Sequence, residues 1–311
     1  MTPAARPAAD SARPTAADLP PGTDAAPSRV RSQRPGRRAL RAFLRNRLAL
    51  VGVVLLTLIV LAVIVAPNYV PASLAVKPNP RQMLSSPSAQ HLLGTDEIGR
   101  DVAARLLYAG RVSLPVSLSA MLIALVTAST LGIVSGYFGG WLDQLLMRIT
   151  DALLAIPAIF LLLTIAAVMR PTVTVLVVVI GLLAWMDLAR IVRIETISLS
   201  KRDQVEGVKA LGAKNFRILF RHILPNIQGP LLVAAPLIAG RALLTESALS
   251  YLGLGIQPPT PTWGNMLNQA QQFALSAPLL AVAPGLAIMI TVIAINFVGD
   301  GLRDAFDPRR S

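Results

Sequence analysis

Uncharged, strongly hydrophobic runs recur along the chain and are separated by shorter segments that carry most of its charge. Residues 48–66 and 277–299 contain no charged side chain, and each run is long enough for a membrane-spanning helix. At 1.5 Å per residue, roughly 20 helical residues match the ~30 Å hydrocarbon core of a bilayer. The pattern predicts an all-α integral membrane protein with about six transmembrane helices, at approximately 48–66, 112–137, 150–169, 171–193, 227–249 and 277–299.

The composition favours a protein embedded in a lipid bilayer over a soluble enzyme. Hydrophobic residues make up 54% of the 311 residues, charged residues 14%, and the mean hydropathy is +0.60; soluble domains carry roughly 25% charged residues. The absence of cysteine excludes disulfides, thiolate metal sites and cysteine nucleophiles. The net charge of +13 does not indicate nucleic-acid binding, because aromatic residues are only 5% and the basic residues lie beside the hydrophobic runs.

Basic residues are distributed unevenly between the two predicted sides of the membrane. If the N-terminus is cytoplasmic, the segments on that side hold 22 lysines and arginines and the outer segments hold 6. The positive-inside rule therefore predicts a multi-pass protein with both termini in the cytoplasm. Residues 1–38 lack a periodic hydrophobic pattern and are predicted to form a disordered cytoplasmic tail, which leaves 39–311 as the transmembrane domain.

The longest predicted cytoplasmic loop, residues 198–226, has the pattern of two short helices joined at a glycine. Ser200 and Asp203 fit a capping box at the start of the first helix, and Gly212 fits its stop. The second helix is predicted to carry one apolar face, formed by Phe216, Leu219, Phe220 and Ile223. This pattern fits either a hairpin lying on the inner membrane surface or a docking element for a cytoplasmic partner.

Within this loop, residues 206–208, Gly212 and residues 223–225 resemble the E-A-A-x-x-x-G…L-P loop of ATP-binding-cassette importer membrane subunits. In that family the loop forms a coupling helix that sits in a groove of the ATPase subunit. Gly207 and Val208 here replace the usual alanines. The resemblance implies that the ATPase-coupling residues are Glu206, Gly207, Val208, Ala210, Leu211, Gly212, Leu224 and Pro225.

Four further segments, in the same order along the chain, resemble the dipeptide, oligopeptide and nickel permeases, and in particular their C-type subunit. They read HLLGTDEIGRDV (91–102), SGYFGGWLDQLLMRITDALLAIP (135–157), LTESALSYLGLGIQPPTPTWGNML (244–267) and GDGLRDAFDP (299–308). The resemblance implies a permease bundle in the cytoplasmic membrane of a prokaryote. It also implies three kinds of partner besides the bilayer: a homologous second permease subunit, two cytoplasmic ATPase subunits and an extracytoplasmic solute-binding protein.

Peptide import is the function that this resemblance favours, with ATP and magnesium held by the partner ATPases. The chain contains no G-x-x-x-x-G-K-[ST] sequence, so it is not expected to hydrolyse ATP, to need a cofactor or to contribute a catalytic residue. Nickel-chelate import by the same family remains an alternative. An ion-coupled secondary transporter is a second one, although such proteins usually have internal repeats, and none is evident here.

Charged residues near or inside the spans are the remaining candidates for chemistry. Arg241 and Glu246 lie within the fifth predicted span, where ionisable groups usually face a cavity or each other, so they are candidates for a translocation path. Two pairs spaced three apart are predicted to form ion pairs within their helices, Arg148 with Asp151 and Asp187 with Arg190. Glycines at 132, 136 and 140 predict close helix packing within the bundle.

Two predicted outer segments also contain candidate functional residues. His91, Asp96, Glu97 and Asp101 are interpreted as helix caps and ion pairs rather than as metal ligands, because their spacing fits no ligand pattern. The loop 250–277 is predicted to face outward. Its rigid proline and aromatic positions, Pro258, Pro259 and Trp263, are predicted to contact the solute-binding protein.

Overall fold

A computed structural model describes residues 35–169 and 171–306, and these residues form helices joined by turns, without a strand. Pro80–Gln82 and Gln271–Phe273 are 3₁₀ turns, and Leu219–Ile223 is a π-helical turn. The α-helices are α1 Pro35–Arg45, α2 Arg47–Tyr69, α3 Ala72–Val76, α4 Val102–Phe138, α5 Gly140–Leu154, α6 Ala158–Val168, α7 Val173–Ala184, α8 Met186–Ser200, α9 Asp203–Ala210, α10 Asn215–Ile218, α11 Gln228–Tyr251, α12 Trp263–Ala270 and α13 Leu279–Phe306.

Four of these helices, α2, α4, α11 and α13, are long and apolar enough to cross a bilayer. Two bent pairs, α5 with α6 and α7 with α8, have the composition of broken spans, with bends of 81° and 44°. The sharper bend ends at Pro157, which cannot donate a backbone hydrogen bond and so interrupts the helix. Four straight helices and two bent pairs confirm the prediction of about six spans.

Two span boundaries differ by ten residues from the prediction: α4 begins at Val102 rather than near residue 112, and the α5–α6 pair begins at Gly140 rather than near residue 150. For α4, the prediction started late because Arg105 and Arg111 are charged. Arg105 is nevertheless buried, since it forms an ion pair with Asp96, and Asp101 caps the helix by accepting a hydrogen bond from the Ala104 N–H at 2.7 Å. Two charges that look like a helix boundary in the sequence are therefore part of the helix.

The N-terminal segment contains a helix where disorder was predicted. The predicted tail falls on residues 1–34, which lie outside the described residues, and on residues 35–38, which belong to α1, so the prediction is wrong for these four. Asn46 caps α2 by accepting from the Ala49 N–H at 3.2 Å, and its amide donates to Asp304 at 3.1 Å. Phe43 packs beside Gly301, so α1 is fixed on the end of α13.

Close approaches at glycine occur in the two helix pairs that pack most extensively, α4 with α8 and α2 with α13. A Cβ at Gly132 would lie 2.7 Å from the Ala189 carbonyl oxygen, which brings α4 against α8. A Cβ at Gly52 would lie 2.6 Å from the Ala294 carbonyl oxygen, and α2 packs more extensively on α13 than on any other described helix. Gly136 repeats the α4–α8 contact one turn on, which confirms two of the three predicted packing glycines.

Gly140, the third predicted packing glycine, has no such contact. Its φ is +59°, that of Gly139 is +62°, and an added Cβ at either position would meet no atom within 4 Å. Both residues therefore serve the turn between α4 and α5 rather than packing, because positive φ favours glycine.

Candidate functional site

The first helix of the predicted cytoplasmic loop, α9, begins without a side-chain cap. Arg202 is the N-cap residue, and the Ser200 hydroxyl donates back to the Ile197 carbonyl at 2.9 Å, so the predicted capping box is wrong. Ser200 is instead the last residue of α8, and its hydroxyl bond lies within that helix. Charges at the two ends of α9 compensate, with Asp203 and Glu206 in the first turn and Lys209 in the last.

One side of α9 is anchored in the bundle and the other is open. Val205 is buried and Val208 half-buried, and both pack into the apolar cluster formed with α8 and the end of α4. Leu211 is 89% exposed. The remaining residues of the predicted coupling surface on this helix are also exposed, namely Glu206, Gly207, Ala210 and Gly212.

Gly212 ends α9 in a Schellman motif. Its φ is +78°, as expected for a glycine stop. Its N–H donates to the Lys209 carbonyl at 3.0 Å, and the Ala213 N–H donates to the Val208 carbonyl at 3.2 Å. These two bonds satisfy carbonyl groups at the helix end and turn the chain sharply toward α10, so the exposed tip has a defined shape.

The second half of the loop departs from the predicted amphipathic helix. Only residues 215–218 are α-helical, and the π-helical turn that follows breaks the 3.6-residue spacing on which the prediction rested. Of the predicted apolar face, Ile223 is buried, together with Ile218, whereas Phe216 and Phe220 are 70% and 55% exposed, with ring centroids 4.3 Å apart. The two phenylalanines thus form an exposed aromatic pair after the Gly212 turn, while half-buried Leu224 and exposed Pro225 close the loop.

Two carboxylate–guanidinium pairs join α8 to α5. Arg193 binds both oxygens of Asp143 at 2.5 and 2.6 Å, and Arg190 binds Asp151 at 2.5 Å. The predicted pairs within single helices are therefore wrong, because Asp151 of α5 and Arg190 of α8 form an ion pair with each other. Asp143 and Arg193 were missed altogether, since no local spacing relates residues so far apart in sequence.

The structure does not bring Arg241 and Glu246 to one surface. Glu246 is fully buried and accepts hydrogen bonds from the hydroxyls of Ser113 at 3.0 Å and Ser250 at 2.8 Å. Its carboxylate therefore joins α4 to α11 inside the chain. Arg241 is exposed and lines a cavity of about 460 Å³ between the bent pairs and α11.

The segment before α4 is ordered by an ion-pair network. The Asp96 carboxylate binds Arg100 Nε at 2.6 Å and also Arg105, and both guanidinium groups bond Gln269. The interpretation of this segment as caps and ion pairs is confirmed. Glu97 binds Arg100 at 3.0 Å, and His91 Nδ1 lies 2.8 Å from Asp101, the capping residue of α4.

Trp263 lies inside the bundle, which contradicts its prediction as a contact for a binding protein. Its side chain is buried, and its indole N–H donates to the Leu106 carbonyl at 3.0 Å. The sequence does contain a signal for this burial. Thr262 and Asn265 form a capping box, which makes Trp263 the first residue of α12 rather than part of an exposed loop. Pro258 and Pro259 are exposed, as predicted.

Two family models match this chain. The model described as the binding-protein-dependent transport system inner membrane component matches residues 128–311. This stretch contains the two bent pairs, α5 with α6 and α7 with α8, and also α9 and the Gly212 turn. The model described as the N-terminal TM domain of oligopeptide transport permease C matches residues 34–87. The second match begins one residue before α1.

Curated relatives cover most of the chain. It is 42% identical over 275 residues to the dipeptide transport system permease protein DppC of Alkalihalophilus pseudofirmus, covering 88% of this chain and 90% of that protein. It is 41% identical over 280 residues to a putative peptide permease protein of Brucella suis, covering 88% and 91%. It is 37% identical over 275 residues to the glutathione transport system permease protein GsiD of Pectobacterium atrosepticum, covering 88% and 91%.

Proposed function

This chain belongs to the binding-protein-dependent transport system inner membrane components, with the oligopeptide permease C type of N-terminal domain, and from that premise we propose that it forms half of the membrane path of an ATP-driven peptide importer. The names of its relatives support peptides as the cargo class. Hydrolysis of ATP, with its magnesium ion, takes place in two cytoplasmic partner subunits. A homologous permease subunit completes the path, and a solute-binding protein delivers cargo from outside.

The observation that carries this proposal is the geometry of α9. A short helix held by Val205 and Val208 on one side presents Glu206, Gly207 and Leu211 on the other. An exposed leucine and two exposed phenylalanines at the end of a membrane bundle form an apolar surface of the kind that protein partners cover. The proposed partner at this surface is the ATPase.

Movement of α9 would reach the spans through α8. The two helices are separated only by residues 201–202, and α8 is tied to α5 by the Arg193–Asp143 and Arg190–Asp151 pairs. The close contact of α8 with α4 at Gly132 links it to the centre of the bundle. In this mechanism, closure of the ATPases displaces α9, and α8 then carries α5 with it to change the opening of the path.

The two exposed surfaces, around α9 and around Pro258 and Pro259, are proposed to lie on opposite sides of the membrane. The coupling surface and both termini lie in the cytoplasm, and Pro258 and Pro259 lie outside, where they contact the binding protein. The basic residues of the loop around α9 support this orientation under the positive-inside rule. Among the charged span residues, Arg241 is proposed to face the path.

Site-directed crosslinking tests these assignments together. A cysteine at Gly207 should crosslink to the ATPase and resist membrane-impermeant thiol reagents in intact cells, because it lies on an exposed inner surface. A cysteine at Pro258 should react with the same reagents and crosslink to the solute-binding protein. Since the chain has no native cysteine, each signal reports one position. The reverse pattern of labelling would refute the orientation, and capture of neither partner would refute the assignment of partners.

The Arg193–Asp143 pair should be needed to convert ATP hydrolysis into uptake. Replacing Arg193 by glutamine removes two charge-assisted hydrogen bonds that join α8 to α5, at a cost on the order of 1 kcal/mol because the pair is partly exposed. We expect peptide uptake per ATP hydrolysed to fall, measured in proteoliposomes that contain the whole complex.

Two comparisons make this measurement specific. Arg148→Gln removes an exposed arginine on α5 that takes part in none of the ion pairs found in residues 35–169 and 171–306, and it should leave the ratio unchanged. Asp143→Asn combined with Arg193→Gln should be no worse than either change alone, because both remove the same interaction. Strictly additive losses would show that the pair does not transmit motion.

A further inference from the structure

A cavity lies beside Arg241, between the two bent helix pairs and α11. Its walls come from α5 to α8 and from α11, and they are mostly apolar, with Leu162, Ile180 and Ile238 among them. Its volume of about 460 Å³ falls in the range of small-molecule sites, roughly 300–1,000 Å³. Only two of its lining residues are charged, Asp187 and Arg241.

These two charges lie near the middle of their spans, on different helices. Asp187 follows the junction of α7 and α8, and Arg241 lies about midway along α11. Both residues are exposed, and neither side chain forms an ion pair or hydrogen bond within the described part of the chain. Charges at mid-depth in a bilayer are costly against lipid tails and usually face water-filled paths, so this cavity faces an aqueous space.

The arrangement offers one negative and one positive group in an otherwise apolar space. A guanidinium matches a carboxylate with two parallel hydrogen bonds, and a carboxylate accepts from an ammonium group. A cargo that carries both charges, separated by a short neutral stretch, satisfies both residues at once. A metal chelate held by carboxylates is anionic and would be repelled by Asp187.

We infer that this cavity is a transit site for short zwitterionic peptides, in which Asp187 binds the free α-ammonium group and Arg241 binds the free α-carboxylate. The inference rests on the proposed function and narrows its cargo to peptides with both ends unblocked. Asp187 and Arg241 supply charged hydrogen-bond partners in place of some of the water molecules that a charged peptide loses inside the membrane. The apolar walls accept different side chains, because they make no directional contacts.

The test uses dialanine and its two blocked forms, N-acetyl-dialanine and dialanine amide, with the complete complex in proteoliposomes. Uptake is normalised to ATP hydrolysis stimulated by the binding protein, so that delivery and transit are separated. Asp187→Asn should lower dialanine uptake about tenfold, the effect of losing one charge-assisted hydrogen bond, but should not lower N-acetyl-dialanine uptake further. Arg241→Gln should show the same pattern with the amide.

Arg148→Gln is the matched control, because it removes an exposed span arginine outside the cavity. Wild-type uptake in both cavity variants would overturn the inference. Equal losses for free and blocked peptides would also overturn it, since they would assign Asp187 and Arg241 a structural role. A wild-type complex that hydrolyses ATP in response to its binding protein yet imports no dialanine would instead refute the peptide cargo of the proposed function, and the inference with it.

Discussion

Replacing Gly212 by valine is expected to abolish uptake while the chain still inserts into the membrane. Gly212 has φ +78°, where a β-branched residue costs about 1–3 kcal/mol. No atom lies within 4 Å of an added Cβ, so the cost comes from the backbone alone. Relieving it requires the Schellman turn to open, which would break the bonds from Gly212 to Lys209 and from Ala213 to Val208. The exposed surface of α9 would then lose its orientation.

Uptake and co-purification of the ATPase subunits should both fall for Gly212→Val at normal expression. Gly207→Ala is the matched control, because it adds a methyl group on the same helix where nothing lies within 4 Å. Alanine in a helix is about 0.5–1 kcal/mol better than glycine, so this variant should retain uptake or improve it. Glu206→Ala should give a milder loss than Gly212→Val, since it removes one exposed charge without changing the turn.

Phe216→Ser distinguishes the two interpretations of the loop. A hairpin that lies on the membrane surface depends on the exposed phenylalanines and not on the conformation of Gly212. Full uptake by Gly212→Val, with loss of function only in Phe216→Ser, would support that hairpin and contradict ATPase coupling through α9.

Among the substitutions proposed for this chain, Asp96→Ala is expected to lower the folding stability most. Its carboxylate lies between two guanidinium groups, Arg100 and Arg105, and both arginine side chains are only 3% exposed. It also accepts the backbone N–H groups of Arg100 at 2.8 Å and Ile98 at 3.1 Å. Removing it leaves two buried positive charges beside each other, and breaking a buried pair in this way typically costs about 3–5 kcal/mol.

Thermal unfolding of the purified complex measures this loss, and a large fall in melting temperature is expected. Asp96→Asn keeps part of the hydrogen bonding but not the charge, so it should lie between alanine and wild type. Glu97→Gln is the control, because Glu97 forms an ion pair with Arg100 at the edge of the network and its side chain is 22% exposed. A melting temperature for Asp96→Ala equal to that of Glu97→Gln would show that the network adds nothing to stability.

Features set by local sequence could be predicted, and features set by distant partners could not. Uncharged runs located α2 and α13, and the single glycine between two helical patterns located the turn at Gly212. The bend at Pro157 was not predicted, because hydropathy alone does not distinguish a straight span from a broken one.

The candidate site follows the same rule. The turn in the loop 198–226 could be located from its glycine, but the burial of Trp263 depends on Leu106 in another helix, and the Asp143–Arg193 pair joins α5 to α8. Asp187 was predicted to pair with Arg190 three residues later, whereas Arg190 finds Asp151 in space. Which opposite charge a side chain binds depends on tertiary packing, and sequence spacing records only the local candidates.

The packing of α2 on α13 bears on how the bundle is made. Translation proceeds at about 5–20 residues per second, so the roughly 200 residues between Tyr69 and Leu279 take about 10–40 s to synthesise. Throughout that interval the groove at Gly52 lacks the backbone of Ala294, which approaches it closely in the folded bundle. The first span is therefore synthesised well before α13, the helix on which it packs most extensively.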